Sequence, residues 1–155
     1  MRISVLVAAA VLACGLGSAA LAGDMNSTTA LAGTHWGPAP PFLPPGAQFA
    51  LMAGDPAKPG FVSIRLKLPA GYTIPPHTHP TDEHVTVLSG SLALGMGDAV
   101  DPKAQILLKA GGYGVAAAGM HHYATTKTGA VLQVDMEGPF AITYIHAADD
   151  PQKKK

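Results

Sequence analysis

From Val62 to Leu68 the chain alternates strictly. Val62, Ile64, Leu66 and Leu68 are apolar, and Ser63, Arg65 and Lys67 between them are polar. A period of two puts the apolar set on one face of an extended strand, toward a core, and the polar set on the other. Further short segments read as strands: Glu83 to Leu88, Leu92 to Met96, Gln105 to Lys109, Gly114 to Ala117, His122 to Thr126, Ala130 to Met136 and Phe140 to Ile145. Ser89-Gly90-Ser91 falls between two of them and predicts a hairpin turn. Gly95-Met96-Gly97-Asp98 and Asp101-Pro102 predict a loop. Nothing between 47 and 146 shows a helical period behind an N-cap. The expected fold is all-β, many short strands with Gly and Pro turns forming a sandwich or barrel.

With 155 residues the chain holds one domain with room for a real core, and 48% hydrophobic against 13% charged residues excludes a disordered composition. The formal net charge is zero and only two arginines occur, which argues against a nucleic-acid partner. Residues 1–22 read as a signal peptide: Arg2 precedes an apolar run from Ile3 to Leu16, and Ala20-Leu21-Ala22 offers a small-x-small cleavage site. The run is short for a transmembrane segment, and no later one is long enough. A periplasmic or secreted location follows as an expectation. Val11-Leu12-Ala13-Cys14 is a rival lipoprotein site, against which Leu12 counts. If cleavage follows Ala22, the lone Cys14 leaves with the signal, so neither a disulfide nor a cysteine nucleophile is available. Residues 23–45 are an arm ending in proline-rich sequence, in which His35 and Trp36 read as packing or docking residues. Residues 46–148 form the folded domain, and 149–155 a polar tail ending in three lysines.

Chemistry concentrates between Gly71 and Gly90. His77 and His79 are two residues apart and share a face of an extended backbone, and Glu83 keeps that parity if the segment stays extended. Two neutral imidazoles and a carboxylate suit divalent first-row metals from manganese to zinc. Pro75 and Pro76 stiffen the approach. A further nitrogen is available from Gly119-Met120-His121-His122.

These residues resemble the cupin superfamily. Gly71, His77, His79, Glu83 and Gly90 fit the first cupin motif position for position. Gly111, Gly119 and His122 fit the second, in which Ala117 stands for the usual proline and Thr126 for the usual asparagine. Pro80-Thr81-Asp82-Glu83-His84-Val85 and Pro139-Phe140-Ala141-Ile142-Thr143-Tyr144 resemble a group of small secreted cupins. The resemblance covers about residues 46 to 146. It implies a double-stranded β-helix, a jelly-roll barrel, with a divalent metal (iron, manganese, nickel, copper or zinc) held by His77, His79, Glu83 and His122. Such a set leaves two positions open on an octahedral ion. His121 is the rival fourth ligand, but lies one residue off the motif, where a strand reverses side-chain direction. A homodimer is implied by the resemblance alone.

Three functional readings follow. The first is a metal-dependent enzyme acting on a small molecule in the barrel, of oxygenase, isomerase or lyase type, with pocket walls from Tyr72, Val85, Val87, Tyr113, Tyr123 and Gln133. The second is a metal-containing binding or sensing module. The third is a barrel whose metal only braces the strands; a brace should be closed to solvent, and an enzyme or binder should show a lined pocket. Arg65 alternates outward, which removes the commonest clamp for an acidic substrate. His84 and His146 read as surface residues, Asp82 as a turn cap, and Asp135 and Glu137 as a solvated face.

Overall fold

The computed structural model of the protein describes residues 30–153. The segment read as a signal peptide, with Cys14, lies outside the described residues. Ten strands follow in order: β1 (Gly37–Pro38), β2 (Gln48–Ala53), β3 (Gly60–Leu68), β4 (Thr73–Thr78), β5 (Glu83–Met96), β6 (Gln105–Lys109), β7 (Tyr113–Ala116), β8 (His122–Thr125), β9 (Ala130–Gly138) and β10 (Thr143–Tyr144). The described residues contain no α-helix, only single 3₁₀ turns at Leu31–Gly33, Ala147–Asp149 and Pro151–Lys153. All pairings are antiparallel, in two faces of one curled sheet. One face runs β1-β2-β3-β9-β5-β7 and the other β6-β5-β8-β4-β10. This is a jelly-roll barrel.

β5 belongs to both faces. Its first half pairs with β7 and β9, and its second half with β6 and β8. The hairpin expected at Ser89-Gly90-Ser91 is therefore corrected: one 14-residue strand runs through it. The register with β9 shifts between Val87 and Ser89, and Gly90 adopts φ +74°. A Cβ at Gly90 would stand 2.2 Å from the Gly129 carbonyl oxygen. Glycine between serines signals a bend as well as a turn, and here the strand folds over from one face to the other. The expected Phe140–Ile145 strand shrinks to Thr143–Tyr144.

The alternating β3 pattern is realised. Val62, Ile64, Leu66 and Leu68 are buried together with Val85, Val87, Leu132, Val134 and Met136 across β5 and β9. Each such side chain stabilises the fold by about 1.5–3 kcal/mol relative to exposure. On the opposite face of β3, Arg65 donates to Thr34 Oγ1 at 2.7 Å, and the Lys67 ammonium lies 5.9 Å over the Trp36 ring. The proline-rich arm thus docks along the barrel, and its Gly37 and Pro38 pair with β2 rather than staying free of the ladder.

Candidate metal centre

One strand end, the loop after it and the starts of two further strands deliver the candidate ligands. His77 lies at the end of β4, His79 just beyond it, Glu83 opens β5 and His122 opens β8. His77 and His122 are direct cross-strand partners, so their side chains leave the same face of the sheet. All four residues are buried, none more than 9% exposed. Ligand nitrogens of His77, His79 and His122 lie within 4.8 Å of one another. Glu83 places one oxygen 3.6 Å from His79 Nε2 and the other 3.3 Å from His122 Nε2.

Each imidazole is fixed by a backbone carbonyl. Nδ1 of His77 contacts the Pro75 oxygen at 2.7 Å, Nδ1 of His79 the Ala141 oxygen at 2.7 Å, and Nδ1 of His122 the Met120 oxygen at 3.0 Å. A carbonyl only accepts, so Nδ1 carries the proton in all three rings and Nε2 presents a lone pair. Among the described residues, His79 Nε2 and His122 Nε2 are buried without a hydrogen-bond partner. Both face the carboxylate of Glu83, acceptor against acceptor. Such an arrangement requires a cation between them, either a proton or a metal ion.

Protonation follows the same logic. Burial, then the neighbouring His122 and His79, hold His77 down to about 3, so it remains neutral at physiological pH. Burial lowers His122, but contact with Glu83 outweighs it and the net shift is upward. Burial raises Glu83, and the imidazoles, His122 first, outweigh it to give a net lowering. Without a metal, a proton on His122 supplies the charge that the carboxylate needs.

The other sequence-derived residues are spread around the barrel. Val85 lines a space of about 20 Å³ beside His77, Glu83 and His122, and Val87 is fully buried in the core. Tyr72 donates its hydroxyl to the Pro44 carbonyl, tying the arm down, and burial raises it to about 12. Tyr123 points to the face opposite His122, where its hydroxyl accepts from Asp101 N–H at 2.9 Å and donates to Asp101 O at 3.0 Å. Gln133 lies on the outer face and donates to Asp135 at 3.3 Å. Tyr72, Tyr123 and Gln133 therefore do not wall the space beside the imidazoles. Tyr113 is 55% exposed, and its hydroxyl is hydrogen-bonded to His84 Nδ1 at 2.5 Å. His121, the rival ligand, turns outward to Asp98 at 2.5 Å. Asp82 caps the Ala118 N–H at 2.8 Å.

Residues beyond the expected set complete the surroundings. Phe140 stacks on His79 with centroids 5.9 Å apart, and Tyr144, opposite His77 in register, lies 6.1 Å from its ring. The Pro139-to-Tyr144 segment marked them in the sequence, but its reading as one strand hid their contact with the imidazoles.

A jelly roll with three inward imidazoles and a carboxylate at the ends of its strands defines a cupin. Residues 25–141 match the ChrR cupin-like domain family, and the chain belongs to it. No curated protein sequence matches the chain. Among solved structures, the polyketide cyclase RemF from Streptomyces resistomycificus is similar with a TM-score of 0.66 at 16% identity, covering 82% of this chain and 90% of its own. KdgF from Halomonas sp. gives 0.54 at 17% identity, with 72% and 92% covered. An RmlC-like cupin from Shewanella frigidimarina gives 0.53 at 14%, with 70% and 87% covered. At these identities the likeness carries the fold and no activity.

Proposed function

We propose that the protein is a metal-dependent cupin in which His77, His79, His122 and Glu83 hold one divalent first-row transition metal, used for chemistry on a small molecule. The observation that carries this reading is the pair of buried, partnerless Nε2 atoms facing Glu83, with every Nδ1 already committed to a carbonyl. Three neutral nitrogens and one carboxylate leave coordination positions open on a six-coordinate ion. Bound there, a metal would supply Lewis acidity, or electrons for dioxygen if it is iron or copper. The chain's own part is to fix the imidazole tautomers, keep His77 neutral and exclude water. The reaction class is oxygenase, isomerase or lyase, and the setting is the periplasm or outside the cell after removal of residues 1–22. A binding module that breaks no bond would use the same ligands.

A bracing metal is the second reading, favoured by the low exposure of the four residues and the 20 Å³ beside them. Cobalt(II)-loaded protein separates the readings. Azide shifts the visible cobalt bands if coordination positions are open; unchanged bands at saturating azide indicate a closed structural ion.

A further inference from the structure

The edge strands β6 and β7 of the two barrel faces do not pair with each other. β7 ends one face and β6 ends the other, each pairing only with β5 among the described residues. Between them lies a groove of about 420 Å³. Its lining includes Leu94, Met96, Ile106, Leu108, Tyr113 and Val115, and none of the lining residues is charged. Ile106 is 71% exposed and Met96 47%. A strand edge left with this much bare hydrocarbon is an unfavourable surface unless something covers it.

Strand register connects the groove to the imidazole cluster. Leu94 pairs with Ile106 on one side and Ala124 on the other, and Met96 pairs with His122. Cross-strand partners share a face, so the groove's inner row continues directly into the row that carries the histidine. Leu94 lines both the groove and the 20 Å³ space beside His77, Glu83 and His122. It leans over Gly114, where a Cβ would stand 2.9 Å from the Leu94 Cδ1. Leu94 is thus common to the walls of a groove of small-molecule size and of a space that holds one water.

We propose that the groove between β6 and β7 docks an uncharged, largely apolar small molecule, and that Leu94 is the partition through which it reaches the His77–His79–His122 cluster. This rests on the metal reading above and names the substrate class and the specificity-determining residue for it. The uncharged lining disfavours an ionic ligand, whose desolvation no side chain in the groove would offset. The only polar lining side chain is Tyr113, and its hydroxyl is engaged by His84.

Zinc-loaded full-length protein tests the proposal with catechol as an uncharged aromatic probe and phthalate as its dianionic counterpart, both followed by calorimetry. The wild type should bind catechol and not phthalate. Ile106→Glu, at an exposed position, should weaken catechol at least tenfold with zinc content unchanged, and Leu94→Ala should speed its association about tenfold in stopped-flow mixing. Full zinc with catechol binding identical in all three proteins, or absent from all three, overturns the groove while leaving the metal reading intact. Absent zinc overturns the metal reading; saturable fluorescence of N-phenyl-1-naphthylamine, lost in Ile106→Glu, still supports the groove, and its absence from wild type overturns it. A dimer dissolved by Ile106→Glu, without probe binding, assigns the groove to a second copy and overturns the proposal.

Discussion

The backbone N–H of Gly119 donates to the carbonyl of His79 at 2.9 Å. Beside it, Asp82 Oδ1 accepts from Ala118 at 2.8 Å. The loop carrying His79 is thereby tied to the loop that leads into His122. Removing the side-chain half of this tie, Asp82→Ala, should lower metal affinity about tenfold or more without unfolding the barrel. Competition against a fluorescent zinc chelator measures it, and affinity equal to wild type would show that the tie has no part in positioning the ligands.

Acid should destabilise the metal-free protein. His77 is held down to about 3, whereas an unfolded histidine titrates near 6.5. Between those values the unfolded chain binds the extra proton, so stability falls as pH drops through that window, on the order of 1 kcal/mol per pH unit. His122 is shifted upward, so its contribution is fully present below about 6.5 and is lost only as pH rises through its folded value. Glu83 is shifted downward and adds to the loss only in stronger acid. Urea titrations of the metal-free wild type and His77→Gln from pH 7 to pH 5 check the sign. Equal slopes in the two proteins would remove His77 as the cause.

Metal affinity should fall in the same direction, because ligand imidazoles must lose their protons to bind an ion. Zinc binding measured at pH 7 and pH 5 is expected to differ by at least tenfold. Affinity unchanged over that range would contradict histidine ligation.

Gly90→Ala should cost about 3 kcal/mol or more, since the residue sits at φ +74° and its Cβ would strike the Gly129 carbonyl. Gly97→Ala is the control: φ is +115°, but nothing lies within 4 Å of the added carbon. Equal denaturation midpoints for the two variants would mean that β5 does not bend across the faces as described.

Tyr123→Phe should lose about 1–2 kcal/mol by leaving the Asp101 backbone without its hydroxyl partner. Metal content should not change, because the ring lies on the side of the sheet away from His122. A fall in metal content with stability preserved would place Tyr123 at the centre after all.

Much of the molecule was legible in the sequence, for identifiable reasons. The β3 alternation marked its buried face because one side of that strand meets only the core. The pairing of His77 with His79 was readable from their spacing, but the segment does not stay extended to Glu83: β4 ends at Thr78, a bend follows, and Glu83 opens a separate strand that returns it to the imidazoles. The bend at Gly90 was not, since glycine between serines signals a turn and a strand bend alike. Tyr123 and Gln133 fall outside the pocket because each alternates with inward neighbours, Tyr123 with His122 and Gln133 with Leu132 and Val134, so the same period of two that placed the imidazoles turns them away. The roles of Phe140, Ala141 and Tyr144 depend on β10 returning to β4, which is non-local.

The central claim is a metal held by buried imidazoles, and elemental analysis of the purified protein tests it most directly. Wild type, exposed to a mixture of first-row divalent ions and then dialysed, should retain one ion per chain. The double variant His79→Ala/His122→Ala should retain almost none while keeping its β-sheet circular dichroism. Equal metal in both proteins, or none in a folded wild type, would contradict it.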